Sequence, residues 1–171
     1  MKIDLGCGIR KQEGFIGVDS MEFPGVDVVM DAFEYLATLS DESVDEVNMS
    51  HFVEHFDGQE RIKLFNELGR VVKKGGRMVV TCPAWSHERA YGDPTHKWPP
   101  ISTWTFLYLN KEWRDINGPH TGYTCDFDWN VIGSYDQNDA WIAYRNVETK
   151  QVFMARNINV TQDIIATLTK R

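Results

Sequence analysis

Two groups of residues in this chain have the types and spacing of a chemical site. The first is Asp4-Leu5-Gly6-Cys7-Gly8, followed by Asp19 at the end of Phe15-Ile16-Gly17-Val18-Asp19 and by Asp31 at the end of Val26 to Asp31. Two glycines without a Cβ let main-chain N–H groups come close to an anionic or polar ligand. A carboxylate at Asp19 can accept both hydroxyls of a ribose, and one at Asp31 is in reach of an adenine amino group. A full dinucleotide fingerprint asks for a third glycine where Lys11 stands, and for an acid about 20 residues on, later than Asp19. Taken singly, the GxG is also an ordinary tight turn and each aspartate also a helix N-cap. Three successive strand ends bearing a glycine loop, an acid and an acid favour a nucleoside site.

The second group is His51-Phe52-Val53-Glu54-His55, which spells H-x-x-E-H. Two histidines four apart share a metal face only on a long helix, with a third ligand and an open fourth position. Here His51 falls at a strand end and Asp57-Gly58 interrupts at once, so a zinc hydrolase is the weakest reading. Glu54 and His55 are expected to orient the loop by hydrogen bonds, and no metal site is assigned. Cys7, Cys82 and Cys125 lie far apart without a CxxC pair, which argues against a disulfide framework or a zinc knuckle. A reducing, cytoplasmic setting suits them.

The elements that must position these groups follow from the apolar pattern. Lys2 to Leu5, Phe15 to Asp19, Val26 to Asp31 and Val44 to Ser50 read as strands. Asp57 with Glu60 forms a capping box before Ile62, Phe65, Leu68 and Val72, and Gly75-Gly76 should stop that helix. Arg77 to Cys82 is a further strand, ended by Pro83. The order predicts an α/β fold: a Rossmann-like, doubly wound, mostly parallel sheet with ligands at the carboxyl ends of its strands. Only Ile9 to Gly14 and Ser20 to Gly25 link the first three strands, so the first crossovers are shortened and their helices reduced or absent. From Ala84 to about Asn130 aromatic residues crowd a proline-broken stretch, predicted as a long loop, a helix from Ser102 to Trp113 and a second loop. Trp129 to Tyr135, Ala140 to Arg145 and Gln151 to Val160 alternate, with a last strand from Ile164 to Lys170, and predict a C-terminal antiparallel ribbon.

The chain has 171 residues, 42% hydrophobic and 25% charged, which suits one domain with its own core. Residues 1–83 form its ligand-binding half, 84–128 the aromatic loop and helix, and 129–171 the antiparallel strands. A formal charge of −7 argues against an extended nucleic-acid surface. No apolar stretch approaches the roughly 18–20 residues that cross a bilayer. Met1 to Gly6 carries no apolar signal segment, so secretion and membrane insertion are not expected.

Asp4-Leu5-Gly6-Cys7-Gly8, Gly17-Val18-Asp19, Val29-Met30-Asp31, Ser50 to His55 and Leu68 to Gly76 resemble, in that order, the class I S-adenosylmethionine-dependent methyltransferases, and among them the compact type 11-like proteins. Asp93-Pro94-Thr95-His96 followed by Thr105-Phe106 also occurs in some members. The resemblance spans roughly residues 2 to 114. It implies S-adenosylmethionine as cofactor, with Asp4, Gly6, Cys7, Gly8, Asp19, Ser20, Asp31, Ala32, Ser50 and His51 around it. Gly6 and Gly8 would border the methionine part, Asp19 the ribose, Asp31 and Ala32 the adenine, and Ser50 and His51 the amino group and the reacting methyl. The shortened crossovers leave the cofactor less covered, and a second copy of the chain can complete the cover as a homodimer.

Methyl transfer from a sulfonium asks little of a protein, because in-line positioning can supply roughly 7–11 kcal/mol. A general base adds about 10²–10⁴-fold. For a hydroxyl or amine acceptor the candidates are His51 and His96, with Asp93 beside them; a loop-bracing role for His96 is an equal alternative. No Asn/Asp-Pro-Pro-Tyr/Phe follows the fourth strand, and Cys82 precedes Pro83 where cytosine-C5 enzymes have Pro-Cys. The acceptor is therefore expected to be a small molecule or another non-nucleic-acid group. The aromatic loop either walls its pocket or packs on the sheet. The main rival is a methyltransferase-like module that binds the cofactor and catalyses nothing.

Overall fold

A computed structural model describes residues 1–135 and 146–171. The first strands lie close to where the apolar runs put them: β1 (Lys2–Leu5), β2 (Ile16–Asp19), β3 (Val28–Val29) and β4 (Val44–Ser50). Helix α1 (Ala32–Thr38) leads from β3 towards β4. A 3₁₀ turn (Val53–His55) and helix α2 (Gly58–Val71) lead to β5 (Val72–Pro83). Three short helices follow, α3 (Arg89–Gly92), α4 (Thr103–Leu107) and α5 (Lys111–Asn117). Strand β6 (Phe127–Gly133), helix α6 (Val147–Arg156) and strand β7 (Asp163–Lys170) close the chain.

The seven strands form one sheet in the order β3-β2-β1-β4-β5-β7-β6. Strands β1 to β5 pair in parallel, and β7 runs antiparallel to both β5 and β6. This is the predicted Rossmann-like sheet with antiparallel strands at one edge. Residues 6–15 and 20–27 join β1, β2 and β3 without a helix, as their lengths required. Alternation along β1 sends Ile3 and Leu5 into the main core with Leu36 of α1 and Leu64 and Leu68 of α2. Asp4, between them, is held under residues 6–15 instead, where its Oδ2 accepts from the Gln12 N–H at 2.6 Å.

Helix α2 has the expected capping box: Asp57 accepts from the main-chain N–H of Gln59 and Glu60, and Glu60 accepts from that of Asp57 at 2.7 Å. Its inner face buries Leu64, Phe65, Leu68 and Val71, each contributing roughly 1.5–3 kcal/mol by burial.

Three sequence readings are corrected. Gly75-Gly76 do not end α2; the helix stops at Val71, Val72 is already extended, and both glycines sit in a bulge of β5 between the Val44–Val72 and Glu46–Arg77 pairs. The helix expected over Ser102 to Trp113 is two helices, because Asn110 restarts the chain as an N-cap whose Oδ1 accepts from the Trp113 N–H at 3.0 Å. Gln151 to Val160 is no strand: residues through Arg156 belong to α6, started by Asn146, which accepts from the Thr149 N–H at 2.8 Å. The strand expected over Ala140 to Arg145 lies outside the described residues.

Candidate functional site

The glycine loop is fixed by what surrounds it. Gly6 has φ +66°, and a Cβ there would stand 2.2 Å from Cδ2 of Phe52, so only glycine fits. Gly8 has φ +50° but open space where its Cβ would be, which leaves the loop accessible from outside. The sequence reading expected free N–H groups here. Instead, Gly6 and Cys7 donate to the Val18 carbonyl and Gly8 donates to Asp19 Oδ2 at 2.9 Å. The loop is therefore no anion nest: its amides lock it onto β2 and aim the Asp19 carboxylate across the strand ends. Asp19 Oδ1 accepts from the Met21 N–H at 2.9 Å, and spare lone pairs on both oxygens remain for ligand hydroxyls. Ser20 is exposed beside it.

Lys11, standing where a third glycine would be, lays its stem over Gly17 and pairs with Asp27 at 2.9 Å. The Gly17 N–H and then Lys11 hold the Asp27 carboxyl below its ordinary range. Burial pushes Asp4 up, against its bonds from Gln12 and from the Asn48 amide at 2.8 Å. The Cys7 thiol turns inward towards Gly17, and burial with the charges of Asp4 and Asp19 raises its pKa to about 11. The Lys11–Asp27 pairing has no signal in the sequence, where Asp27 and Asn48 read as ordinary strand residues.

Asp31 is the N-cap of α1, its Oδ1 accepting from the N–H groups of Phe33 and Glu34 at 2.8 and 3.3 Å. The capping alternative is thus real, and it uses Oδ1, which leaves Oδ2 outside the cap bonds. The buried Ala32 follows as the first helical residue. Phe52, Phe56 and Phe33 stack edge to face in a row, at 4.9 and 5.5 Å between centroids, linking the Gly6 loop to α1.

The second group forms a separate cleft of about 730 Å³ beyond the carboxyl ends of β4 and β5. His51 follows the exposed Ser50 with a left-handed φ of 54°, its N–H still bonded to the Thr81 carbonyl at 2.8 Å. A non-glycine residue held there stores roughly 1–3 kcal/mol of strain, a device concentrated at functional sites. His51, His96 and Asp93 all line the cleft, with Glu54, His55 and Arg89. Glu54, as hydrogen-bond partner within reach at 3.3 Å and as charge, raises the His51 pKa against burial. The approach is off-axis, so neither buried Glu54 oxygen has an aligned donor. Glu54 does not orient the loop by hydrogen bonds, contrary to expectation. His55 does, with Nδ1 3.0 Å from the Thr95 hydroxyl. His51 and His55 share no helix; the ring that meets His55 is His96, 5.1 Å between centroids.

Arg61 organises this wall and was missed in the sequence, where it reads as a surface helix residue. It is 3% exposed, and its guanidinium donates to the carbonyls of Val53, Pro99 and Lys97 at 3.0, 2.5 and 3.2 Å. It thereby ties the turn bearing Glu54 to the loop bearing His96. The aromatic stretch divides. Phe106 and Phe127 are core, while Trp85 and Trp104 stay exposed and border a larger hollow of about 1160 Å³ with Ile132, Met154 and Ile164.

A family model described as a methyltransferase domain matches residues 7–80. Among solved structures, an S-adenosylmethionine-dependent methyltransferase from Archaeoglobus fulgidus is 26% identical with a TM-score of 0.67, covering 99% of this chain and 85% of its own. One from Mesorhizobium loti is 15% identical with a TM-score of 0.53, covering 99% and 90%. A complex of the Trm112 methyltransferase activator with a methyltransferase from Haloferax volcanii gives 15% and 0.57, covering 99% and 81%. No curated protein sequence matches the chain. Family model and fold agree: residues 7–80 match a methyltransferase domain, and the chain over nearly its whole length is similar to an S-adenosylmethionine-dependent methyltransferase. Among the described residues no helix is long and apolar enough to cross a membrane.

Proposed function

We propose that this methyltransferase moves the methyl group of S-adenosylmethionine to a small, non-nucleic-acid acceptor seated between His51 and His96. The observation that carries this reading is the His51–Glu54–Asp93–His96 cleft, which opens one residue from Phe52, the ring packed on the glycine loop. The bound cofactor supplies an electrophilic methyl on a sulfonium. Asp19 holds the ribose hydroxyls, Oδ2 of Asp31 takes the adenine amino group, and the open face of Gly8 receives the methionine part. His51, backed by Glu54, takes the proton of a hydroxyl or amine acceptor. The apolar hollow beside Trp85 and Trp104 suits an acceptor with an apolar or aromatic body. Residues 1–83 act as the cofactor half, 84–128 as the acceptor side and 129–171 as the sheet's antiparallel edge.

Two helix-free connections beside β1 to β3 favour one rival specifically, a module that binds the nucleoside without turnover. They also favour a homodimer in which a second copy covers the exposed loop. S-adenosylhomocysteine should raise the melting temperature of the wild type, since it binds only the native state. Asp19→Ala should abolish the shift. Label from methyl-tritiated cofactor should appear in a small-molecule fraction of cell extract. Binding without labelled product across extracts would leave the silent module as the better description.

A further inference from the structure

We infer that Glu54, His55 and His96 form a binding site for one divalent transition-metal ion of the zinc type, inside the acceptor cleft. One ligating atom from each of the three lies within 4.8 Å of the others. Around a tetrahedral zinc with bonds near 2.0–2.1 Å, ligand atoms stand about 3.4 Å apart, so closure of at most about 1.4 Å at the widest pair completes the set.

Two independent observations point to a cation. The Glu54 side chain is 7% exposed, yet neither oxygen has an aligned donor, and the neighbouring Arg61 directs its hydrogen bonds to three carbonyls instead. His51 Nδ1 stands 3.3 Å from Oε1 without an aligned bond, so a cation reaching the carboxylate would complete what that contact leaves open. Further, both histidines are oriented as metal ligands are, held through their second nitrogen. The Ala90 carbonyl, 3.3 Å from His96 Nδ1, can only accept, so that nitrogen carries the proton. The Thr95 hydroxyl donates to Asp93 at 2.6 Å and therefore accepts from His55 Nδ1. In the neutral form of each ring these bonds leave the free lone pair on Nε2. Two imidazoles and one carboxylate are a donor set suited to zinc.

Asp93 Oδ2, 4.0 Å from His96 Nε2, stands at the rim as a further oxygen donor. The H-x-x-E-H pattern thus contributes Glu54 and His55 but not His51, and the third ligand, His96, comes from the loop after Pro94. The remaining position faces the cleft and suits an oxygen of the acceptor, which the ion would polarise and hold. What fills that position rests on the methyltransferase reading; the cation itself does not.

The full-length protein, stripped with a chelator, is titrated with zinc chloride by calorimetry and with cobalt chloride by visible absorption. The expected result is one equivalent per chain and a cobalt spectrum without thiolate charge transfer, which keeps the three cysteines out of the site. His55→Ala and His96→Gln should each lower affinity at least tenfold. Thr95→Ala, which removes the hydroxyl that links His55 to Asp93, should lower it about 10–100-fold, and the exposed His120→Ala should leave it unchanged. Circular dichroism melts confirm that each variant is folded. No uptake by the wild type, or uptake that survives both histidine variants, overturns the site. Binding of S-adenosylhomocysteine is measured in the same samples: if it binds and zinc does not, the metal site alone fails. If zinc binds and the nucleoside does not, the methyltransferase reading fails and the metal site stands.

Discussion

Gly6 and Gly8 lie two residues apart with the same backbone hand, yet their replacement by alanine should differ sharply. Either substitution forces an L side chain into the left-handed region, at about 1–2 kcal/mol. At Gly8 nothing else is added, because the space its Cβ would enter is open. At Gly6 the methyl would stand 2.2 Å from Phe52 Cδ2 and 2.8 Å from Cγ, an overlap that moves a ring packed against Phe56. Overpacking of that kind costs about 1–3 kcal/mol more. Urea unfolding should therefore show losses of about 1–2 kcal/mol for Gly8→Ala and about 2–5 kcal/mol for Gly6→Ala. A Phe52→Ala background should return Gly6→Ala to the smaller figure, a coupling read directly from the double-mutant cycle. Function should invert the ranking. Gly8→Ala folds, but its methyl occupies the surface assigned to the methionine part, so it should lose most of the S-adenosylhomocysteine melting shift. Equal destabilisation at both positions, or no coupling to Phe52, would refute the packing argument; an unchanged shift in Gly8→Ala would refute the ligand's placement.

Four further outcomes follow from the site. His51→Ala should lower kcat about 10²–10⁴-fold on a hydroxyl or amine acceptor while leaving S-adenosylhomocysteine binding intact, measured by calorimetry beside turnover. Burial raises the Cys7 thiol to about 11 and Cys125 to about 12, and lifts Cys82 well above the ordinary value, so iodoacetamide near pH 8 should label none in the native protein and all three in urea. Because Asp4 titrates above 3.8 when folded, its contribution to stability is greatest with the carboxyl protonated and falls as pH rises from 3.8 through the raised value. Asp4→Asn should flatten that segment of the urea-midpoint profile; an unaltered slope would show that Asp4 is not buried as described. Arg61→Met should cost at least about 3 kcal/mol, since three carbonyls lose a charged donor, and limited proteolysis should then cut within residues 94–101.

The legible part of this fold was the part governed by neighbours in sequence. Apolar alternation located β1 and β4 to the residue, and the Asp57–Glu60 box located the start of α2. What failed depended on longer competition. Gly75-Gly76 have the look of a helix stop, but the pairing of β5 with β4 draws the whole segment from Val72 into the sheet and turns the glycines into a bulge. In α6 the alternation of Gln151 to Val160 lost to the Asn146 cap and a run of helix-forming residues.

The sequence by itself determined where the glycine loop and the two acids stand, because a glycine loop and acids at successive strand ends are local statements, each readable where the chain leaves a strand. The spacing Ile9 to Gly14 and Ser20 to Gly25 likewise left no room for covering helices. Only the tertiary structure decided how the amides of the loop are used, since their acceptors, the Val18 carbonyl and Asp19, come from a second strand. Only it brought His96 to His55 and left the Glu54 carboxylate buried between them without an aligned donor. That juxtaposition is made by Arg61 clamping two distant segments, and no periodicity along the chain encodes a contact between residues so far apart.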